Sequence, residues 1–455
     1  MARWLRFAIS FVALAALAFQ GQTTVVGASA GSQIKPDPLT LEETIDLSVE
    51  DIQAYWAKQF PATFKGRRYQ PITSDRIFPY DSTTGTPPCG EGGPRPYVRN
   101  AFYCGALDTV SYDVEGLFPD AYFDFGNFAV AMILAHEWGH AIQERSNVGG
   151  LELLDRQGVP SILVETQADC YAGTWARRLD DKKSKVLELE AGDLDAALSG
   201  ILSVADAAGQ SPDAPTAHGS AFDRVTAFQQ GFDHGANRCA TWFKDHPDFV
   251  EVPFTTVEDL ATGGNLPVDE LIPLVTTDLD EYWASRIDNY EPVSSVIPYD
   301  LGTSSSLPTC GNEEPIPENF KDTIFYCSVG DFVAWDAALL ADTAERYGDF
   351  AAATLIANRW SNAVHSRIKS KAKGKAETLE SDCLTGSWAG SLLDETRRPQ
   401  LSLSPGDLDE AIQTTLKFNS STGKGLSAFD RTKAFRKGFS DGARACVKSA
   451  KQKGK

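Results

Sequence analysis

The sequence predicts an α+β protein, mainly helical, in which two homologous domains follow one another. Three observations support this prediction. The 455 residues are enough for two large domains, the composition of 42% hydrophobic and 23% charged residues is typical of a globular chain, and a set of motifs occurs twice in the same order. A breaker-free apolar run at 128–135 predicts a buried helix, and we expect a small sheet near 100–113.

Residues 1–30 have the features of a secretory signal peptide. Two arginines precede an apolar run at 7–19, and Ala28-Ser29-Ala30 supplies a small-residue cleavage site. The run is shorter than the ~20 residues that span a bilayer, and no later stretch is long and apolar enough. We therefore expect a secreted, extracytoplasmic protein with no integral membrane segment after signal cleavage.

The charge of the chain excludes one class of partner. Lysine and arginine number 42 against 62 acidic residues, which gives a formal net charge of −20. Nucleic acid is held mainly through its phosphates by basic residues. We therefore expect no nucleic-acid partner.

A repeat of motifs predicts a tandem duplication. The matching segments are 51–56 with 278–283, 77–81 with 297–300, 102–104 with 325–327, 169–176 with 382–389, 192–195 with 406–409, 220–224 with 427–431, and 231–239 with 438–446. Such collinear self-similarity indicates two copies of one unit. The predicted organisation is a first domain at 39–246, a linker at 247–274, a second domain at 275–447 and a basic tail at 448–455.

The eight cysteines divide equally between the two domains. They are Cys89, Cys104, Cys170 and Cys239 in the first and Cys310, Cys327, Cys383 and Cys446 in the second. Three pairings are open within each domain. Short loops favour Cys89–Cys104 and Cys310–Cys327, which leaves the other two pairs. No two cysteines have the spacing of structural zinc sites, and an exported protein can oxidise them.

The residues with the clearest chemistry lie in the first domain. His136 and His140 are four apart on the predicted helix, so both imidazoles face the same side and can bind one ion. Glu137 lies beside them and can take a proton from a zinc-bound water. On a second helical segment, Glu165 can complete a two-histidine, one-carboxylate site, and Asp169, one turn later, can orient a ligand histidine.

The second domain has lost these residues. Asn358 and Asn362 stand in place of His136 and His140, and Arg359 stands in place of Glu137. Thr378 stands in place of Glu165. Asp382 still matches Asp169. The sequence therefore predicts one zinc ion per chain, bound in the first domain only.

The first domain resembles the bacterial neutral zinc metallopeptidase family. The resemblance rests on the motifs H-E-x-G-H-x-x-Q, at 136–143, and E-x-Q-A-D-C-x-A-G-x-W, at 165–175, and it covers most of 70–240. It implies a zincin-like domain with a gluzincin-like site, in which His136, His140 and Glu165 bind zinc and Glu137 is the base. The second domain would then be a homologous domain that binds no metal.

His218 is a further candidate for the catalytic site. Its family-like setting, and Gly425 at the matching position of the second domain, favour a role in stabilising an oxyanion. The alternative is a loop histidine without a special role.

The sequence thus predicts a secreted zinc-dependent peptidase, an endopeptidase acting on peptide or protein substrates. Two alternatives are a non-catalytic binding or scaffold protein that retains a zinc site, and a zinc hydrolase that cleaves another kind of bond. Because both domains keep the same non-catalytic framework, we also expect them to pack as an intramolecular pseudo-dimer.

Overall fold

The structure is a computed structural model. It describes residues 39–81, 83–89, 98–146, 158–210, 218–250, 252–302, 307–311, 319–418 and 426–447. The predicted signal peptide, 1–30, and the basic tail, 448–455, lie outside these residues. None of the helices in the described ranges has an apolar stretch long enough to cross a membrane.

The first half of the chain is built mainly from helices. They are α1 (Leu41–Thr63), α2 (Leu117–Phe125), α3 (Asn127–Ser146), α4 (Ser161–Asp180), α5 (Asp193–Ser203), α6 (Ala221–His234) and α7 (Ala236–Ala240). Helix α1 begins at a capping box, in which Thr40 and Glu43 satisfy each other's backbone N–H groups. Helix α3 is buried over most of its length, because it is apolar on nearly every side.

A small sheet lies against helix α3, as predicted. Strands β1 (Ile77–Tyr80), β2 (Ala101–Cys104) and β3 (Thr109–Asp113) are arranged in the order β1-β3-β2. Strand β2 is antiparallel to β3, whereas β1 is parallel to it. The mainly helical α+β class is therefore confirmed, and β2 forms an edge of the sheet.

The second half repeats this order of elements after one additional short helix, α8. Its helices are α8 (Val257–Thr262), α9 (Val268–Ala284), α10 (Ala337–Tyr347), α11 (Asp349–Arg367), α12 (Lys375–Ser391), α13 (Asp407–Lys417), α14 (Ala428–Asp441) and α15 (Ala443–Cys446). Its strands are β4 (Ser295–Tyr299), β5 (Ile324–Cys327) and β6 (Phe332–Asp336), in the order β4-β6-β5. The segment 247–274 contains α8 and the first turns of α9.

Aligned residues of the two halves make the same contacts. The indole N–H of Trp175 donates to Asp51, and that of Trp388 donates to Asp278, each at 2.9 Å. These contacts agree with the alignment of the repeated motifs. The common origin of the two halves stays a prediction.

The structure contains the two disulfides that the short loops favour and the two pairs that remain. The pairs are Cys89–Cys104, Cys170–Cys239, Cys310–Cys327 and Cys383–Cys446. No cysteine among the described residues is free. In each half the second bridge ties a long central helix, α4 or α12, to the last short helix.

The two halves exchange residues across their boundary. Phe429, from the second half, is buried in the core cluster of the first, and Phe222, from the first half, is buried in that of the second. Asp195 accepts the backbone N–H of Phe429 at 2.7 Å, and Asp409 accepts those of Ala221 and Phe222 at 3.1 and 2.8 Å. Each half thus caps the start of a helix in the other.

Candidate metal centre

Two crossing helices carry the candidate ligands. Helix α3 supplies His136 and His140, and helix α4 supplies Glu165. The helices can approach closely because residue 139 is glycine: a Cβ there would lie 2.7 Å from the Cα of Ala168. The glycine of the motif therefore serves helix packing, which positions the ligands.

The three predicted ligands converge on one point. The Nε2 atoms of His136 and His140 are 3.2 Å apart, and the Glu165 carboxylate lies 3.1 Å from the first and 3.6 Å from the second. All three side chains are buried or nearly so. Two imidazoles and one carboxylate are a donor set that suits zinc and leaves a position open. The residues present therefore fit the predicted metal.

Asp169 lies against His136, the contact that an orienting carboxylate would make. Its Oδ1 lies 2.7 Å from Nδ1 of His136, so Nδ1–H donates to the carboxylate and Nε2 is directed at the ligand position. Arg224 in turn donates two hydrogen bonds to Asp169, at 2.8 and 2.9 Å. Burial and Arg224 act on Asp169 in opposite directions, and the net effect lowers the pKa of that carboxyl.

His140 is oriented by a glutamine. Its Nδ1 lies 2.9 Å from Oε1 of Gln143, and the Gln143 amide donates to the backbone of Val164 and to Gln167 at 2.7 and 2.9 Å. Both histidines therefore present Nε2, because the other ring nitrogen of each is already engaged.

The electrostatics of the cluster favour a bound cation. Burial alone lowers the pKa of His136, but Asp169 and Glu165 raise it to about 10. Burial opposes ionisation of Glu165, yet the two histidines hold the pKa of its carboxyl well below the usual range. The pocket is therefore built to stabilise positive charge next to carboxylates, and a dication can take the place of the proton.

Glu137 lies next to the ligands without joining them. Its Oε2 accepts the backbone N–H of Tyr103, in strand β2, at 2.8 Å. Burial raises the pKa of Glu137, although His136 and His140 oppose that shift. The carboxyl thus faces the site with a raised proton affinity, which suits a general base.

A cleft opens onto this cluster. It has a volume of about 510 Å³ and is lined by His136, Glu137, His140, Glu165 and His218, among others. The side chain of His218 is 55% exposed, and Asp206 holds both its backbone N–H and its ring, at 2.7 and 3.3 Å. His218 therefore lies on the cleft, and its role in catalysis stays a prediction.

The second half keeps the supporting residues of this site without its ligands. Arg431 donates twice to Asp382, at 2.9 and 3.0 Å, as Arg224 does to Asp169. The Asn358 amide donates to the same carboxylate at 3.0 Å, in the place of His136. Arg359 is half-buried here, and desolvation together with the charge of Arg431 lowers the pKa of its guanidinium. A cation at this position opposes binding of a dication.

Sequence reasoning did not assign the roles of Arg224, Gln143 and the Tyr103 N–H. A signal for Arg224 was present, because Arg224 and Asp169 both recur in the second half, as Arg431 and Asp382, although the ligands do not. A backbone donor such as Tyr103 leaves no such signal, since its position depends on how the sheet packs on α3.

The fold and the donor set define a mainly helical protein with a group of residues that could hold zinc. Residues 15–242 match the family described as "Putative neutral zinc metallopeptidase", and the chain belongs to this family. It is similar to the "Uncharacterized protein YpfJ" of Escherichia coli (strain K12), with 32% identity over 211 residues, 42% of this chain and 67% of that one.

A mycobacterial protein is also similar. The "Uncharacterized protein Rv2575" of Mycobacterium tuberculosis (strain ATCC 25618 / H37Rv) is 32% identical over 169 residues, which are 33% of this chain and 57% of that relative. No solved structure gives a significant match. The family match ends at residue 242, so it does not reach the second half.

Replacing Arg224 by lysine is expected to weaken zinc binding by about 10- to 100-fold. Lysine keeps the charge but cannot donate the paired hydrogen bonds that hold Asp169, so His136 is less well oriented. Competition with a chromophoric chelator measures the affinity. Arg431→Lys is the matched control in the second half and should leave it unchanged. Equal affinity in both variants would contradict the assigned role.

Proposed function

We propose that the protein is a secreted zinc-dependent endopeptidase with one zinc ion, held by His136, His140 and Glu165. The observation that supports this most directly is the convergence of these donors beside a fourth, non-ligating acid, Glu137. A site that only stored a metal has no need of an additional buried carboxyl facing the open cleft.

The residues of the chain divide the chemistry among them. Zinc, when bound, supplies a positive charge that polarises a carbonyl and makes water more acidic. Glu137 takes the proton of the attacking water and later delivers it to the leaving nitrogen. The Tyr103 N–H holds the Glu137 carboxylate, and Asp169 and Gln143 keep the histidines in the required tautomer. His218, on the cleft, is proposed to stabilise the oxyanion that develops on the substrate.

The cleft favours a peptide as the substrate. Strand β2 lines it with Ala101, Phe102 and Tyr103 and is an edge strand of its sheet. An edge strand can pair with an extended peptide. The N–H groups of Ala101 and Tyr103 already donate to Asn100 and Glu137, so a peptide along this edge would donate to the backbone carbonyls of the strand. This observation favours peptide hydrolysis over cleavage of another kind of bond.

The second half is proposed to act as a structural partner of the catalytic half. Its ligand positions hold asparagine and threonine, so zinc is expected in the first half alone. The exchange of Phe429 and Phe222 between the two cores, and the reciprocal caps by Asp195 and Asp409, support an intramolecular pseudo-dimer.

Two observations, one from the sequence and one from the structure, support the proposal that the protein is secreted. Residues 1–30 have the pattern of a signal peptide. The four disulfides agree with an oxidising compartment, since such bonds are rare in the cytosol.

Zinc content and proteolysis, measured on the same preparation, test the proposal. We expect one zinc per chain and cleavage of denatured casein for the full chain. The double variant His136→Asn/His140→Asn copies the residues of the second half. It should bind no zinc and cleave nothing. A wild-type protein that holds zinc but cleaves nothing would favour the scaffold alternative. Cleavage of a non-peptide ester alone would favour the other hydrolase class.

A further inference from the structure

A second cluster of possible metal ligands lies in the second half. Its residues do not align with the zinc ligands of the first half. Asp349, Asp407 and Glu410 each offer one carboxylate oxygen, and these oxygens lie within 4.8 Å of one another. Asp349 and Asp407 are each 4% exposed. Three carboxylates gathered in a buried position are costly unless a cation accompanies them.

One oxygen of this cluster has no hydrogen-bond partner. Oδ2 of Asp349 accepts the backbone N–H of Leu266 at 2.9 Å, but its Oδ1, which is fully buried, accepts no hydrogen bond from the described residues. A buried acceptor without a donor is uncommon in native proteins. It indicates a ligand among the three carboxylates.

The surroundings of the cluster are negative as well. Burial and neighbouring carboxylates raise the pKa values of all three acids, that of Glu410 to about 8, and Asp259 contributes to the shifts of Asp349 and Asp407. In each case the neighbouring side-chain charges that act most strongly on the group are other carboxylates.

The first half provides a comparison, because the equivalent elements there do not carry the cluster. The positions aligned with Asp349, Asp407 and Glu410 hold Asn127, Asp193 and Ala196. Two of the three acids are thus specific to the second half.

The backbone beside the cluster shows the same contrast. Gly348 and its counterpart Gly126 both adopt a positive φ, near +100°. A Cβ at Gly348 would overlap the carboxylate of Glu410, whereas the space beside Gly126 is open. Glycine at 348 is therefore needed for Glu410 to reach the start of helix α11.

We propose that Asp349, Asp407 and Glu410 bind a calcium ion. A donor set made only of oxygens, most of them from carboxylates, suits a hard cation. It does not favour zinc or copper, which prefer nitrogen or sulfur ligands. Calcium tolerates irregular geometry and completes its six to eight ligands with water and neighbouring oxygens. The site is separate from the zinc centre and does not depend on the proposed peptidase activity.

The position of the cluster indicates what the ion does. The backbone N–H of Asp349 donates to the side chain of Asn265 at 2.7 Å, and Leu266 donates to Asp349, so the segment joining the halves is attached at the start of α11. Asp259 lies in the same connecting segment, and the hydroxyl of Ser404, just before α13, donates to it at 3.4 Å. The start of α13 is therefore attached to this segment as well. A calcium ion here fastens this connecting segment to the second half.

Calcium titration of the zinc-loaded full chain tests the proposal. By isothermal titration calorimetry we expect one Ca²⁺ per chain, and by thermal unfolding a melting temperature that rises with Ca²⁺ concentration. Asp407→Asn and Glu410→Gln should each raise the Kd about tenfold or more, because affinity depends on the number of charged ligands. Asn at 407 can still accept the Ser404 N–H, which Asp407 accepts at 2.7 Å.

Asp193→Asn is the matched control. Asp193 is the counterpart of Asp407 and makes the same loop contact, accepting the Glu190 N–H three residues earlier at 2.6 Å. This variant should bind Ca²⁺ like the wild type. No binding by the wild type at millimolar Ca²⁺ would overturn the proposal and leave the three acids as protonated groups. Unchanged binding in both cluster variants would also overturn it, since the ion would then lie elsewhere.

Discussion

The Glu137→Gln variant is expected to lose peptide hydrolysis by a factor of about 10²–10⁴ while it retains one zinc per chain. Glutamine has the shape of glutamate, and its carbonyl can still accept the Tyr103 N–H that Glu137 accepts, so the fold and the ligands remain in place. It cannot take a proton from water. The rate constant on a quenched fluorescent peptide and the zinc content by mass spectrometry give the two readouts.

Arg359→Gln provides the control for this variant. Arg359 occupies the aligned position of the second half, so its replacement by the same residue should change neither the rate nor the zinc content. If Glu137→Gln kept more than a tenth of the wild-type rate, Glu137 would not be the base. If it lost zinc together with activity, the carboxyl would serve the site's structure rather than proton transfer.

The histidine pair could be predicted because it depends on local geometry, whereas Glu165 meets it only through the packing of α3 on α4. A spacing of four on one helix places His136 and His140 on one face whatever the rest of the chain does. The same spacing relates Glu165 and Asp169. The disulfide pairs could be favoured for a similar reason, since loop length limits which cysteines meet easily.

The remaining features depend on contacts between distant segments. The parallel pairing of β1 with β3 joins residues such as Ile77 and Val110, and no local pattern specifies it. The packing of Tyr103 against Glu137 and the acidic cluster at Asp349 arise in the same way. For Asp349, Asp407 and Glu410, each acid taken alone resembles an ordinary residue in the first turn of a helix, where negative charge is common.

The sequence predicts an intramolecular pseudo-dimer without specifying the contacts between the halves. The shared framework indicated that the two halves pack together, but it did not indicate that each half places a phenylalanine in the core of the other. Phe429 lies edge-on to Phe228, with ring centroids 6.0 Å apart, and 4.8 Å from the ring of Phe232. Phe222 lies 4.8 Å from Phe439. Such reciprocity is what the proposed pseudo-dimer would produce, because equivalent surfaces would meet in it.

Phe429→Ala is therefore expected to destabilise the whole chain, by about 3–5 kcal/mol. The side chain is 2% exposed, and its loss leaves a cavity in the core of the half that carries the zinc site. Urea unfolding followed by tryptophan fluorescence should show one transition at a lower midpoint, and zinc should be released in that same transition.

Two further variants decide whether the halves depend on each other. Phe222→Ala is the reciprocal change and should have an effect of similar size, because Phe222 is 4% exposed and lies in the other core. Phe123→Ala removes a ring that is 81% exposed and should change the free energy of unfolding by no more than about 0.5 kcal/mol. If Phe429→Ala left zinc release at the wild-type urea concentration, the catalytic half would fold independently of its partner. The reciprocal exchange would then be a contact between two autonomous domains, and the second half would need another reason to be joined to the first.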